Sequence, residues 1–273
     1  MRLLTFQSSL PAEAASRPAV TLSVRARALW SLGGVALMLL AWQVLAAHTH
    51  AALVASPVAT WDALRGLVAS GELWAELAIT LRRLLAALAL SSALGFGLGV
   101  IAGFSLNARA FLEPVRWVIM TLPTIFIAVM GLLWFGMGST QVIFLVTVIV
   151  TPVIYINTLY GFDTLDHQLI EMARLYRFSR RQMFTEIYLP GIGFSVITGL
   201  TLAAGIGVRA VVIAELLGAF DGVGHSFNRA WTFLNTPEMF AWIAASLVLM
   251  AGLEFALLNP VRRALTRWKR EPI

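Results

Sequence analysis

The chain has 273 residues, 59% of them hydrophobic and only 12% charged, with a mean hydropathy of +0.82. Soluble domains carry about 25% charged and about 45–50% apolar residues; here the apolar residues fall into runs of about the 20 needed for a helix to cross hydrocarbon, which excludes a water-soluble globular protein. The net charge of +6 flanks those runs, so it reads as membrane orientation rather than nucleic-acid binding, and the absence of Cys rules out disulfides and thiolate chemistry.

Residues 1–28, with Ser8, Ser9, Pro11, Glu13, Ser16 and Pro18, read as a disordered cytoplasmic tail. The first apolar run, 29–47, is longer than the roughly 7–15 residues of a signal-peptide core, and it follows a polar tail. It is therefore expected as an uncleaved span. Residues 48–83 form a connector opened by Ser56-Pro57, in which Trp61, Leu64, Leu67 and Val68 fall at helical spacing. This segment is either a helix lying along the membrane surface or a simple link. Further spans are expected over 84–104, 115–135, 142–160, 194–219 and 240–258. Together they predict an all-α bundle of about six transmembrane helices, a single membrane domain over 29–260 with a basic cytoplasmic tail over 261–273.

The distribution of charge sets the orientation. With the N-terminus inside, 15 of the 20 Lys and Arg lie in the cytoplasm. They come from the N-terminal tail, Arg109 and Arg116 around the next cytoplasmic connection, the 161–190 loop and the C-terminal tail. Arg65 and Arg229 lie outside, Arg82 and Arg83 sit at the outer end of the second span, and Arg209 is inside the fifth. Positive residues collect on the cytoplasmic side, so both termini are expected inside. Gly95, Gly99 and Gly103 recur every fourth residue, as do Gly199, Ala203 and Gly207, which marks helix faces that approach closely in lipid. Pro123 and Pro152 are expected to kink the spans that hold them.

The connection 161–190 looks folded. Asp166 can cap a helix running to about Tyr176. Ser179 and Gln182 then form a capping box, with Phe178 and Met183 at the hydrophobic-staple positions. Met183, Phe184, Ile187 and Tyr188 share one face while Arg180 and Arg181 point elsewhere, and Pro190 is expected to end the element. A capped helix pair with an apolar and a basic face fits a docking platform for a cytoplasmic partner, or an interfacial pair on lipid headgroups.

The residues Glu171-Met172-Ala173 followed by Ile187-Tyr188-Leu189-Pro190 resemble the EAA loop of ABC importer permeases, the pattern Glu-Ala-Ala, three residues, Gly, nine residues, Ile-x-Leu-Pro. Glu171, Ala173, Ile187, Leu189 and Pro190 match with the spacing intact. Met172 replaces an Ala and Arg177 replaces the Gly. Further segments resemble the nitrate/sulfonate/taurine-type branch of these inner-membrane permeases: Phe135-Gly136-Met137-Gly138, Asn157-Thr158, 179–184, Thr198-Gly199-Leu200, and Ala214-Glu215 with Gly222-Val223-Gly224. The resemblance covers about residues 80–258.

This resemblance implies a permease subunit in the bacterial inner membrane that works by alternating access. Its loop would act as a coupling helix gripped by a cytoplasmic ATPase through Glu171, Ala173, Arg177, Ile187, Leu189 and Pro190. It implies a second permease copy, commonly identical, and an extracytoplasmic solute-binding protein. No GxxxxGK[ST] phosphate loop is present, so no cofactor is expected on this chain, and ATP with Mg would belong to the ATPase. Arg177 stands where a left-handed Gly would close the first short helix; either that turn is strained or the loop meets its partner in an altered way.

Arg209 and Glu215 are the charged residues of the fifth span and its candidate translocation-pathway residues. Six positions separate them, about 240° around a helix, so they do not pair with each other. They either line a path for an anionic solute, or Arg209 pairs across a subunit interface and Glu215 reaches the outer surface. Glu171 likewise has a plain alternative, pairing with Arg174 on its own helix. His48, His50, His167 and His225 show no metal-ligand spacing. A self-sufficient secondary transporter or channel is the alternative function. It would call for coupling-ion carboxylates at mid-membrane, and only Glu215 is available.

Overall fold

Backbone groups in hydrocarbon have no water to bond, so each apolar run must close its own hydrogen-bond ladder as a helix. The computed structural model describes residues 24–50, 52–253 and 255, and all the regular elements among them are helical. In chain order they are α1 Val24–His48, α2 Pro57–Ala69, α3 Glu72–Phe104, α4 Leu106–Thr121, α5 Thr124–Phe135 and α6 Ser139–Asp163. There follow α7 His167–Leu175, α8 Arg180–Gln182, a π-helical turn Met183–Tyr188, α9 Leu189–Gly218, α10 Val223–Thr232 and α11 Thr236–Leu253. Of the expected tails over 1–28 and 261–273, residues 1–23 and 261–273 lie outside the described residues, as does the end of the sixth predicted span, while 24–28 are already part of α1.

Among the described residues five helices are long and apolar enough to cross a membrane, and α4 with α5 forms a sixth, broken candidate bent by 98°. The expected third span is therefore not one straight helix. Pro123 lacks an N–H and forces its predecessor out of the helical region, so Leu122 is extended at φ −65°, ψ 128° and the ladder restarts at Thr124. The second span also differs from expectation. Its helix begins at Glu72 rather than near Leu84 and runs for 33 residues, about 50 Å at 1.5 Å per residue. Arg82 and Arg83 disguised its first third.

The three helices α3, α6 and α9 pack side by side along most of their length, and their contact faces are the small-residue stripes. A Cβ at Gly95 would lie 2.7 Å from the Thr151 carbonyl, one at Gly99 2.6 Å from Thr158 Cβ, and one at Gly103 2.5 Å from the Phe162 ring. Gly199 meets Asn157 in the same way. The resulting core holds Leu84, Leu145, Val146, Ile154, Ala203 and Val211, all fully buried. Helices this close replace lipid contact with dense van der Waals packing.

A second core closes one end of the bundle. Ser56 caps α2, accepting from the Ala59 N–H at 3.2 Å with Pro57 at the first helical position. Leu67 of α2, Val223 and Ala230 of α10 and Trp242 of α11 then bury against one another. The connector is thus a packed helix, while Trp61 and Val68 stay exposed. By contrast, α1 is exposed along its apolar stretch. It is tied by Trp42, whose ring stacks on Phe240 at 5.6 Å and whose Nε1–H donates to the Ala55 carbonyl at 2.9 Å.

Candidate functional site

At the other end of the bundle the 161–190 connection folds on itself. The Asp166 side chain accepts from the Gln168 N–H at 2.8 Å and starts α7. The Ser179–Gln182 capping box is formed in both directions and starts α8. Between the two helices Arg177 takes φ +54°. The Phe178 N–H bonds the Ala173 carbonyl and the Arg177 N–H the Arg174 carbonyl, each at 3.0 Å. This is the six-to-one and five-to-two closure that Gly usually serves. Arg177 adopts the left-handed conformation as a non-Gly residue.

Pro190 does not end the element, contrary to expectation. The preceding turn widens so that the Leu189 N–H bonds the Phe184 carbonyl, five residues back. A wide turn moves the backbone away from the proline ring, and the next donor in that ladder is the one Pro190 lacks. The helix consequently continues from Arg180 to Gly218, 39 residues without a break.

The half-buried face of the loop holds Met183, Phe184, Ile187 and Tyr188. Tyr188 packs edge-on to Phe104 at 4.8 Å and stacks on Phe162 at 5.7 Å, joining the ends of α3 and α6. Ala173 is fully buried, whereas Glu171, Arg177, Leu189 and Pro190 are exposed. Glu171 makes no ion pair with Arg174 among the described residues. The tip itself went unnoticed in the sequence. Leu175 and Tyr176 are 83% and 75% exposed, and the exposed Arg174 and Arg177 flank them in the chain. Their position at the end of α7 was the available signal, since apolar residues on the turn of a short polar helix have no core to reach. An apolar tip flanked by arginines has the composition of a protein-binding surface.

The far end of the same helix carries the second cluster. Glu215 has no exposed surface. Its carboxylate accepts from Arg83 Nη1 at 2.9 Å, from the Thr80 hydroxyl and from the Gly224 N–H at 3.0 Å. Arg83, 4% exposed, also donates to Ser139 Oγ at 3.0 Å and to the Asp221 carbonyl at 2.8 Å, and forms an ion pair with the Asp221 carboxylate. Glu76 accepts from the Gly222 N–H, and the Thr80 oxygen accepts from the Val223 N–H at 2.9 Å. Two carboxylates and a hydroxyl therefore hold the first donors of α10, where the helix dipole favours negative charge. Gly222, at φ +99°, is required there because a Cβ would lie 2.3 Å from Glu215 Oε1.

Arg209 lies elsewhere. It is exposed on a stripe of α9 with Leu202, Ile206 and Ile213, and among the described residues it makes no hydrogen bond or ion pair. The structure thus separates Arg209 from Glu215 and gives Glu215 a partner, Arg83, that the sequence reading had left at the span's edge. Glu76, Thr80 and Arg83 recur at i, i+4 and i+7, one face of a helix, which was the signal for it. On α10, Arg229 pairs with Glu72 and with Glu238 at 3.3 Å; its hydrogen bond to Glu72 holds the guanidinium above its ordinary range. Among the described residues no group of three or more His, Cys, Asp or Glu could hold a metal ion.

Residues 95–270 match the family described as the binding-protein-dependent transport system inner membrane component. The chain is 30% identical over 236 residues to the putative aliphatic sulfonates transport permease protein SsuC of Bacillus subtilis, covering 86% of this chain and 85% of that one. It is 30% identical over 199 residues to the taurine transport system permease protein TauC of Escherichia coli, covering 73% and 72%. A chain of the MetNI methionine ABC transporter, solved in inward-facing conformations, shares the fold with a TM-score of 0.58 at 19% identity, over 68% of this chain and 94% of that one.

Proposed function

We propose, because this chain belongs to the family of binding-protein-dependent transport system inner membrane components, that it carries a small anionic solute such as an organic sulfonate into the cell. Membership makes it the permease subunit of an ABC importer, a multi-pass inner-membrane transport subunit rather than an enzyme, which works with an ATPase partner and a solute-binding protein.

The observation that supports an anionic solute is Arg209, exposed on an otherwise apolar face of a membrane-crossing helix. A guanidinium facing lipid is costly, so such a group turns toward a bundle interior or a water-filled path. The stripe it shares with Leu202, Ile206 and Ile213 is then the face that a second, identical copy of the chain covers, with the solute passing between the copies. The sulfonate and taurine permeases similar to this chain support the same solute class.

At the loop end, the exposed Leu175–Tyr176 tip, with Glu171, Arg177, Leu189 and Pro190 beside it and Ala173 and Ile187 packed beneath, is the surface offered to the ATPase. Nucleotide and Mg are held by that partner, and the loop follows its motion as a rigid lever. Both termini and the loop are cytoplasmic, as the positive residues direct, which puts α2 and α10 at the outer face where the binding protein arrives. A secondary transporter finds no support: the buried carboxylate within a described span, Glu215, is committed to internal partners.

Uptake by the reconstituted transporter tests the solute reading. Arg209→Ala is expected to lower sulfonate uptake at least about tenfold, the loss of roughly 1.4 kcal/mol of interaction, with assembly intact; Arg209→Lys is expected to keep a part of it. Unchanged uptake kinetics in Arg209→Ala would remove Arg209 from the path.

A further inference from the structure

The 39-residue helix from Arg180 to Gly218 joins the two clusters, over about 58 Å at 1.5 Å per residue. One end carries Phe184 and Tyr188 of the loop. The other carries Glu215, one turn before the helix stops. Beyond Gly218 the chain turns through 219–222 into α10; Ala219 is buried against the core, but Phe220 is 67% exposed. The rest of the turn is held by polar contacts. Glu215 of α9 and Glu76 and Thr80 of α3 take the N–H groups of Gly222, Val223 and Gly224. Arg83 joins Glu215 to the Asp221 carbonyl and carboxylate on one side and to Ser139 of α6 on the other. The backbone approach is so close that a Cβ at Gly224 would meet the Val212 carbonyl at 2.2 Å.

We infer that Arg83 and Glu215 are positioning residues for transport: they clamp the start of α10 to α3 and α9, so that the corner at this end of the bundle moves as one body with the helix that begins in the loop. A buried, multiply bonded charge pair in low dielectric has one low-energy geometry, and any sliding of α10 against α9 leaves charges unpaired. The clamp therefore permits a rigid shift of the corner and resists its independent flexing. This rests on the reading of the loop as the driven end.

The test uses the complete transporter, reconstituted with its ATPase and binding protein. The chain contains no Cys, so spin labels can be placed at Arg82→Cys on α3 and Thr232→Cys on α10, both exposed. In the otherwise unaltered chain the distance between the labels is expected to stay constant and narrowly distributed between the nucleotide-free and ATP-bound states. Two changes loosen the clamp by different routes. Glu215→Gln removes the charge and keeps the shape, leaving Arg83 its bonds to Asp221 and Ser139. Gly222→Ala keeps every charge and forces the corner away from the carboxylate. Both are expected to broaden the distance distribution and to lower solute carried per ATP hydrolysed at least about fivefold, with basal ATPase rate and subunit stoichiometry retained. A label distance that shifts on ATP binding in the unaltered chain overturns the inference. So do unchanged coupling ratios in both variants, or uptake that falls only in proportion to assembled complex. Failure of the unaltered chain to bind an ATPase would instead overturn the proposed function.

Discussion

A side chain at φ +54° brings its Cβ against the following carbonyl oxygen, which costs about 1–2 kcal/mol for any residue with a Cβ, and Arg177 accepts that cost at the turn between α7 and α8. The side chain is exposed, so its replacement loses no packing. Arg177→Gly is expected to strengthen the closure of α7 by about 1 kcal/mol, read as slower hydrogen exchange at the Arg177 and Phe178 amides. Faster exchange in the variant would mean that the guanidinium contributes more than the backbone loses. The Arg83–Glu215 pair presents the opposite balance. Removing one member leaves the other buried with its ion pair lost and only its remaining polar contacts, at a cost of up to about 3–5 kcal/mol. Glu215→Ala and Arg83→Ala should each lower the thermal midpoint of the detergent-solubilised protein, and the double variant should lose clearly less than the sum. Additive losses would mean that the two residues act independently.

At the scale of elements, the helices were legible where apolar runs met clear punctuation. Asp166, Ser179 with Gln182, and Ser56 with Pro57 all start helices in the structure. Each provides a local cap that needs no tertiary context. The glycine stripes were equally legible as close-approach faces. Asymmetry around α3 makes this testable: a Cβ at Gly99 would lie 2.6 Å from Thr158 Cβ, whereas one at Gly97 would meet nothing within 4 Å. Gly99→Leu is expected to abolish folded protein in size-exclusion chromatography, and Gly97→Ala is expected to leave it unchanged. Equal behaviour of the two would put the α3–α6 packing in doubt. Proline was a reliable signal at one site and a misleading one at another. The kink expected at Pro123 is present as a 98° break, whereas Pro190, expected to end its element, is absorbed by a π-helical turn. The outcome depends on whether neighbouring carbonyls find other donors, which is a property of the fold rather than of the dipeptide.

At the scale of the whole molecule, the site divides into what short-range pattern encodes and what only topology assembles. The loop is contiguous in sequence, so its capping and its apolar face could be read directly, while its exposed tip left only a weak signal, the placement of Leu175 and Tyr176 at the end of a short polar helix. The Arg83–Glu215 cluster draws on residues more than 130 positions apart, and a hydropathy window placed Arg83 at an edge because such a window treats every charge as solvated. Three helices sharing one small-residue core bring these two ends into register: α3 and α6 meet the loop through Phe104 and Phe162 and meet the opposite corner through Arg83 and Ser139. The molecule is in this sense a single lever with two built ends.

The most direct check is made at the loop proposed to receive the ATPase. Glu171→Ala combined with Leu189→Asp alters two exposed positions of the loop surface, so membrane insertion and purified yield should be unchanged. The ATPase subunit that co-purifies with the chain should fall at least about tenfold, equivalent to roughly 1.4 kcal/mol of docking free energy. A double variant that retains its full complement of ATPase would contradict the account.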